Sequence, residues 1–320
     1  MPGLLPRTRQ RYLGVDISPQ AIKIVELSRS QGRFKLQGYA IEPLPAGLVG
    51  HQTGAESKSV VQVLLGALEK AAVVTSDAIV GMPDGQVICK TLEVDAGLSE
   101  VELELHVRLE AEQYIPYALE DVALDFEVQG FSSSHPGRIN VQMAACRQEA
   151  LEWHCSVLIG AGLTPQVVAV QAHALARGVE AMAAGLALQG AVAVLDLAPH
   201  ATLLSVVRQG QVIYSRELLL EPGAAEEHAF ENTVSEHLER GLELFGQSGA
   251  EDTIVMIILA GETATTPGLS QCIEARLGTP TRTANPFLAM SLEPALAPEA
   301  LLCDAPVLLT ACGLALRGFD

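Results

Sequence analysis

Positive charge is scarce in this chain: 20 lysines and arginines stand against 38 aspartates and glutamates, a formal net charge of −18. Non-specific nucleic-acid binding needs clustered positive charge and is excluded, whereas a basic partner is favoured. The one basic cluster, Arg7, Arg9 and Arg11, reads as a solvated tail, with contact to an anionic membrane as the alternative. Aromatic residues make up only 4%, so Leu, Val, Ile and Ala must carry the core. No run reaches the roughly 18 apolar residues that span a bilayer, and the N-terminus is too short and polar for a secretory signal. The expectation is a cytoplasmic protein. No C-x-x-C pair occurs among Cys89, Cys146, Cys155, Cys272, Cys303 and Cys312, which fits buried reduced thiols. The histidines lack H-E-x-x-H or comparable ligand spacing, so no metal site is expected.

What the chain does have is apolar content: 49% hydrophobic and 18% charged over 320 residues. That excludes disorder and suggests two domains. Strand patterns open it at Arg11–Ser18, Ala21–Ser30 and Arg33–Leu44, and a helix follows at about Ser57–Val73. A separate β-α-β block then runs from 77 to 147. In it Asp77–Met82, Val87–Val94, Leu119–Gly130 and Arg138–Cys146 read as strands. Ser99–Ile115 reads as an amphipathic helix with Leu98, Val101, Leu105 and Leu109 on one face, ended by Pro116. After helices at 148–161 and 171–188, a second strand run begins at Val192. It leads through helix 224–246, strand Thr253–Ala260 and helix 267–277 to a last helix at 305–317.

An internal repeat organises this order. LGVDISPQAIKIVEL at 13–27 recurs as VAVLDLAPHATLLSV at 192–206, and Asp196 stands 180 residues after Asp16. Each copy is a hydrophobic strand ending on Asp, a Pro-containing turn and a return strand. Two such halves are the signature of a duplicated α/β fold of the actin and sugar-kinase type, which is ribonuclease H-like. In such a fold the two Asp turns face each other across a cleft and hold a nucleotide's phosphates and Mg²⁺. The turns here are poor at that task, since neither has a glycine and each has a proline that lacks an N–H donor. Lys23 would balance phosphate charge. The plain alternative is that Asp16 and Asp196 only end strands and cap turns.

The segments LGVDIS…IKIVELSRS, EAEQYIPYALEDVALD at 110–125, AACRQE, VLDLAPHATLLSV, LAGETATTPGL and DAPVLLTACGLALRGFD together resemble the PilM family of type IV pilus assembly proteins, relatives of FtsA. The resemblance implies an actin-like fold whose first lobe (1–76 and 148–189) carries an inserted subdomain (77–147), followed by a second lobe (190–320). It implies a scaffold at the cytoplasmic face of the inner membrane. Such a scaffold binds the N-terminal cytoplasmic tail of PilN between the first lobe and its insert, through Tyr114, Pro116 and Tyr117, and contacts motor and platform proteins. ATP with Mg²⁺ would sit at Asp16, Ser18, Lys23, Asp196, Arg240 and Gly261.

The chain departs from the family at four points. Pro19, Gln20 and Ala21 replace small hydroxyl residues, Ala198 replaces Gly, Glu262 stands where a second Gly is expected, and the segment after Glu217 is very short, so that the helical subdomain walling the cleft is largely missing. ATP hydrolysis is therefore not expected, and a binding scaffold is the leading reading. An active actin-like ATPase and the equivalent scaffold of a related pilus or type II secretion system are the alternatives.

Overall fold

The computed structural model describes residues 10–45, 47–49, 54–132, 135–183, 190–198, 202–218, 229–247 and 252–320. Arg7, Arg9, Pro199, His200 and Ala201 lie outside the described residues. The chain opens as an antiparallel meander of β1 (Gln10–Ile17), β2 (Ala21–Ser30) and β3 (Arg33–Pro43). After α1 (Gly54–Lys70), β4 (Asp77–Met82) lies parallel to β1. The next segment builds a three-stranded sheet of its own from β5 (Val87–Asp95), β6 (Val122–Phe131) and β7 (Arg138–Arg147), in the order β5-β7-β6. Helix α2 (Glu100–Ala111) covers one face of it. The chain returns through α3 (Gln148–Gly160) to β8 (Thr164–Val170), parallel to β4, and α4 (Gln171–Ala183) follows.

The second half repeats the pattern. β9 (Ala191–Leu197), β10 (Thr202–Arg208) and β11 (Gln211–Leu218) form another antiparallel meander. After α5 (Ala229–Gln247), β12 (Ile254–Ala260) lies parallel to β9. Helix α6 (Leu269–Leu277) then leads to β13 (Thr281–Thr283), parallel to β12. The two sheets share one order, β3-β2-β1-β4-β8 and β11-β10-β9-β12-β13. The duplication read from two short motifs therefore extends through five strands of each half. Even the register matches: Asp16 faces Lys23, and Asp196 faces Leu203.

Three expectations are corrected. Asp77–Met82 is not part of the insert; its strand is buried between β1 and β8 in the first sheet, so the insert begins after it. Residues 190–320 do not all stay in the second lobe. β14 (Ser291–Leu292) adds to the edge of β3, and after α7 (Pro298–Asp304), helix α8 (Leu309–Arg317) packs on the first sheet through Ala311, Cys312, Ala315 and Leu316. Arg11 is no part of a solvated tail, since β1 holds it 3.5 Å from the buried carboxylate of Glu26.

The lobes exchange helices at their junction. Leu175, Ala176 and Val179 of α4 pack on β9, β10 and β12 of the second sheet, while α8 fills the face of the first. The two helices cross on small residues. A Cβ at Gly313 would overlap the backbone carbonyl of Ala174, and one at Gly178 would lie 2.5 Å from the carbonyl oxygen of Leu309. Glycine is required there because backbone meets backbone. Segment Pro298–Arg317 is apolar and long enough to be weighed as a membrane span, but 61% of its most apolar 18-residue window is buried inside the protein.

Candidate functional site

Two places gather the residues singled out from the sequence. The first is the place where Asp16 and Lys23 come within electrostatic range of Asp196. Asp16 ends β1 almost fully buried, with its Oδ2 3.6 Å from the Lys23 ammonium. Its Oδ1 accepts a 2.7 Å hydrogen bond from the Gln171 amide at the start of α4. Ser18 spends its hydroxyl on its own turn: the Oγ donates to the carbonyl of Ala21 at 3.0 Å and accepts from the Ala21 N–H at 3.1 Å.

Across the cleft, burial pushes the carboxyl of Asp196 above its ordinary pKa; Lys23 opposes the shift, and the charges of Asp16 and Glu262 reinforce it. Gly261 follows β12 at φ +89°. A Cβ there would lie 2.5 Å from Asp196 Oδ1 and 2.6 Å from the carbonyl oxygen of Leu197. Its N–H donates to the carbonyl of Pro306, and the Thr263 N–H donates to that of Leu197. Arg240 is exposed on α5 and shares no hydrogen bond or ion pair with Asp16, Lys23 or Asp196. Glu262 is exposed as well.

Among the described residues, the groups that would hold Mg-ATP already have partners within the chain. A triphosphate needs backbone N–H donors and a cation facing it. Here the Ala21, Gly261 and Thr263 N–H groups and the Ser18 hydroxyl are engaged within the chain, and one lysine already serves two carboxylates. The space beside Gly261 is filled by Asp196 and Leu197.

The second place is a cavity of about 300 Å³ at the junction of the first lobe and the insert. Both covalent crossings form its walls. Gly85 and Gln86 come from the 3-10 turn after β4; Cys146, Arg147, Glu149 and Ala150 come from the β7–α3 corner. Ile88, Val122 and Ala145 of the insert sheet, with Ile115, Pro116 and Tyr117 beyond α2, supply the remainder. Helix α2 ends at Ala111, short of the expected Ile115, and the chain then turns and bends through Pro116 and Tyr117, both of which line the cavity.

At its edge the Arg147 guanidinium sits 4.3 Å from the Tyr117 ring centroid and bonds Glu149 at 2.7 Å. Burial pushes the Cys146 thiol up, so it faces the cavity as a neutral thiol. Of the three expected partner residues, Pro116 and Tyr117 line the cavity. Tyr114 does not: its ring lies half exposed beneath the Lys90 ammonium, 4.9 Å away. Arg147 and Glu149 were legible only as part of the AACRQE segment, without a role. The apolar wall has no local signal, because its residues come from four separate stretches.

Comparison with known proteins agrees with this architecture. The family described as type IV pilus assembly protein PilM matches residues 14–224 and 227–319. A solved PilM-PilN type IV pilus biogenesis complex is similar over 97% of this chain and 98% of that one, at 27% identity and a TM-score of 0.77. The ethanolamine utilization protein EutJ from Carboxydothermus hydrogenoformans shares the fold. It matches over 98% of this chain and 91% of its own at 14% identity, with a TM-score of 0.51. The fold is actin-like, with a duplicated core and an inserted subdomain, and the chain belongs to the PilM family of type IV pilus assembly proteins.

Proposed function

We propose that the protein is a pilus-assembly scaffold that captures the N-terminal cytoplasmic tail of PilN in the cavity between its first lobe and its insert. The observation that carries this is the cavity itself. It is apolar at its base through Ile88, Ile115 and Val122, and it is edged by the Arg147–Glu149 pair and the Tyr117 ring. An extended basic-apolar peptide fits such a site: aliphatic side chains desolvate in the base, and its cations meet Glu149 and the −18 net charge of the chain. Binding at a cytoplasmic membrane face through PilN, and a link from there to motor and platform proteins, follow from the family resemblance.

A fluorescent PilN-tail peptide is expected to bind saturably at low salt. Tyr117→Ala should weaken it about fivefold, because the ring holds Arg147 in place through a cation–π contact worth about 1 kcal/mol. Absence of saturable binding would overturn the proposal. The scaffold acts without ATP turnover in this reading, since the cleft groups that would serve a nucleotide serve each other.

A further inference from the structure

The insert helix α2 carries two apolar stripes, and the fold uses only one. Leu103, Val107 and Ala111 pack on the insert sheet against Leu92, Val94, Val141 and Met143. On the far side Val101, Leu105 and Leu109, spaced i, i+4, i+8, are 78%, 59% and 56% exposed. Three aliphatic side chains aligned on an outward helix face are costly to leave in water and form a seam of the kind that receives another helix.

We propose that this seam is a second docking surface, separate from the PilN cavity, and that its occupant is a basic amphipathic helix of a partner protein. Charge selects that occupant. Glu102, Glu104 and Glu112 border or interrupt the seam, and Glu100 and Glu110 add to the helix; against them stands Arg108, which Glu104 already pairs at 3.2 Å. A helix with its own apolar stripe flanked by lysine or arginine buries the seam and meets Glu112 and the acidic surface around it. A second copy of this chain would bring the same glutamates and another −18 of charge. Twelve residues of α2 also offer far less area than the roughly 1,200 Å² of a stable dimer. An anionic bilayer is repelled for the same reason.

The test uses the full chain and two designed 20-residue helices with one leucine stripe, flanked by lysine in one and glutamate in the other. The lysine peptide should bind saturably in fluorescence anisotropy, and the glutamate peptide should not. Combined Val101→Ser, Leu105→Gln and Leu109→Ser should weaken the lysine peptide at least about tenfold, with thermal melting and PilN-tail binding unchanged. Combined Glu104→Lys and Glu112→Lys should turn the preference toward the glutamate peptide. Equal affinity for the seam variant would overturn the proposal by reducing the binding to diffuse charge attraction. So would absence of binding, or a wild-type dimer in sedimentation that the seam variant abolishes.

Discussion

At the scale of single residues, the cleft between the lobes sets charged groups against one another. Asp196 carries a charge that its surroundings disfavour. Burial raises its pKa, so the folded state holds the proton more tightly than the unfolded state does. The cost of the carboxylate is therefore largest above the folded pKa and fades as pH falls through it. Asp196→Asn should raise the melting temperature at pH 7.5 by about 2 °C, with the gain shrinking as pH falls. An aspartate serving Mg-ATP would behave otherwise: nucleotide would stabilise the wild type and not the variant. The expected scan shows no Mg-ATP shift in either. Gly313 offers a second residue-scale test, since a Cβ there strikes the Ala174 carbonyl, which is backbone and cannot step aside. Gly313→Ala should cost about 3 kcal/mol, seen as a lower urea midpoint. Gly66→Ala on α1, where a Cβ meets nothing within 4 Å, should stabilise slightly.

At the scale of elements, the strands were legible because their signal is local. Ala21–Ser30 and Asp77–Met82 occupy the very spans their apolar runs and turns define. Helix α2 shows where that legibility ends. Leu98, Val101, Leu105 and Leu109 make as good a helical stripe as Leu103, Val107 and Ala111, and spacing alone does not choose between them. Packing on β5 and β7 chose the second, whose Val107 and Ala111 are fully buried, and turned Val101, Leu105 and Leu109 outward while Leu98 stays against the insert core. The start of the helix was readable, since Ser99 and Glu102 form a capping box, with the Ser99 N–H donating to Glu102 Oε2 at 2.8 Å. Its end was not, because the turn through Tyr114 and Ile115 continues the helical pattern past Ala111. The site divides in the same way. Pro116 and Tyr117 lie in one quoted motif, whereas the cavity also needs Gly85, Ile88, Val122 and Ala145, which only the return of β7 beside β5 brings together.

At the scale of the whole molecule, the chain is tied by its last residues to its first. The few aromatic residues are concentrated at that tie: Phe319 meets Tyr12 edge-on at 4.9 Å and Phe34 at 5.3 Å, and Arg29 lies over its ring at 5.2 Å. Leu308, Ala311, Cys312, Ala315 and Leu316 cover Val25, Leu27 and Leu36 of the first sheet. The second sheet depends on this segment far less, because α5 and α6 cover one of its faces through Val234, Leu238, Leu269 and Ile273. Ending the chain at Ala297 should therefore unfold the lobe that is remote in sequence and spare the nearer one. Hydrogen exchange would show it as lost protection across β1 and β2 with protection kept in β9, β10 and β12. Adding a synthetic 298–320 segment should restore the first sheet, since α8 needs only to re-enter between β1 and α4. Retained protection in β1 and β2 without that segment would mean that the first half folds on its own meander. The helix exchange between the lobes would then be a docking event that follows folding rather than a condition for it.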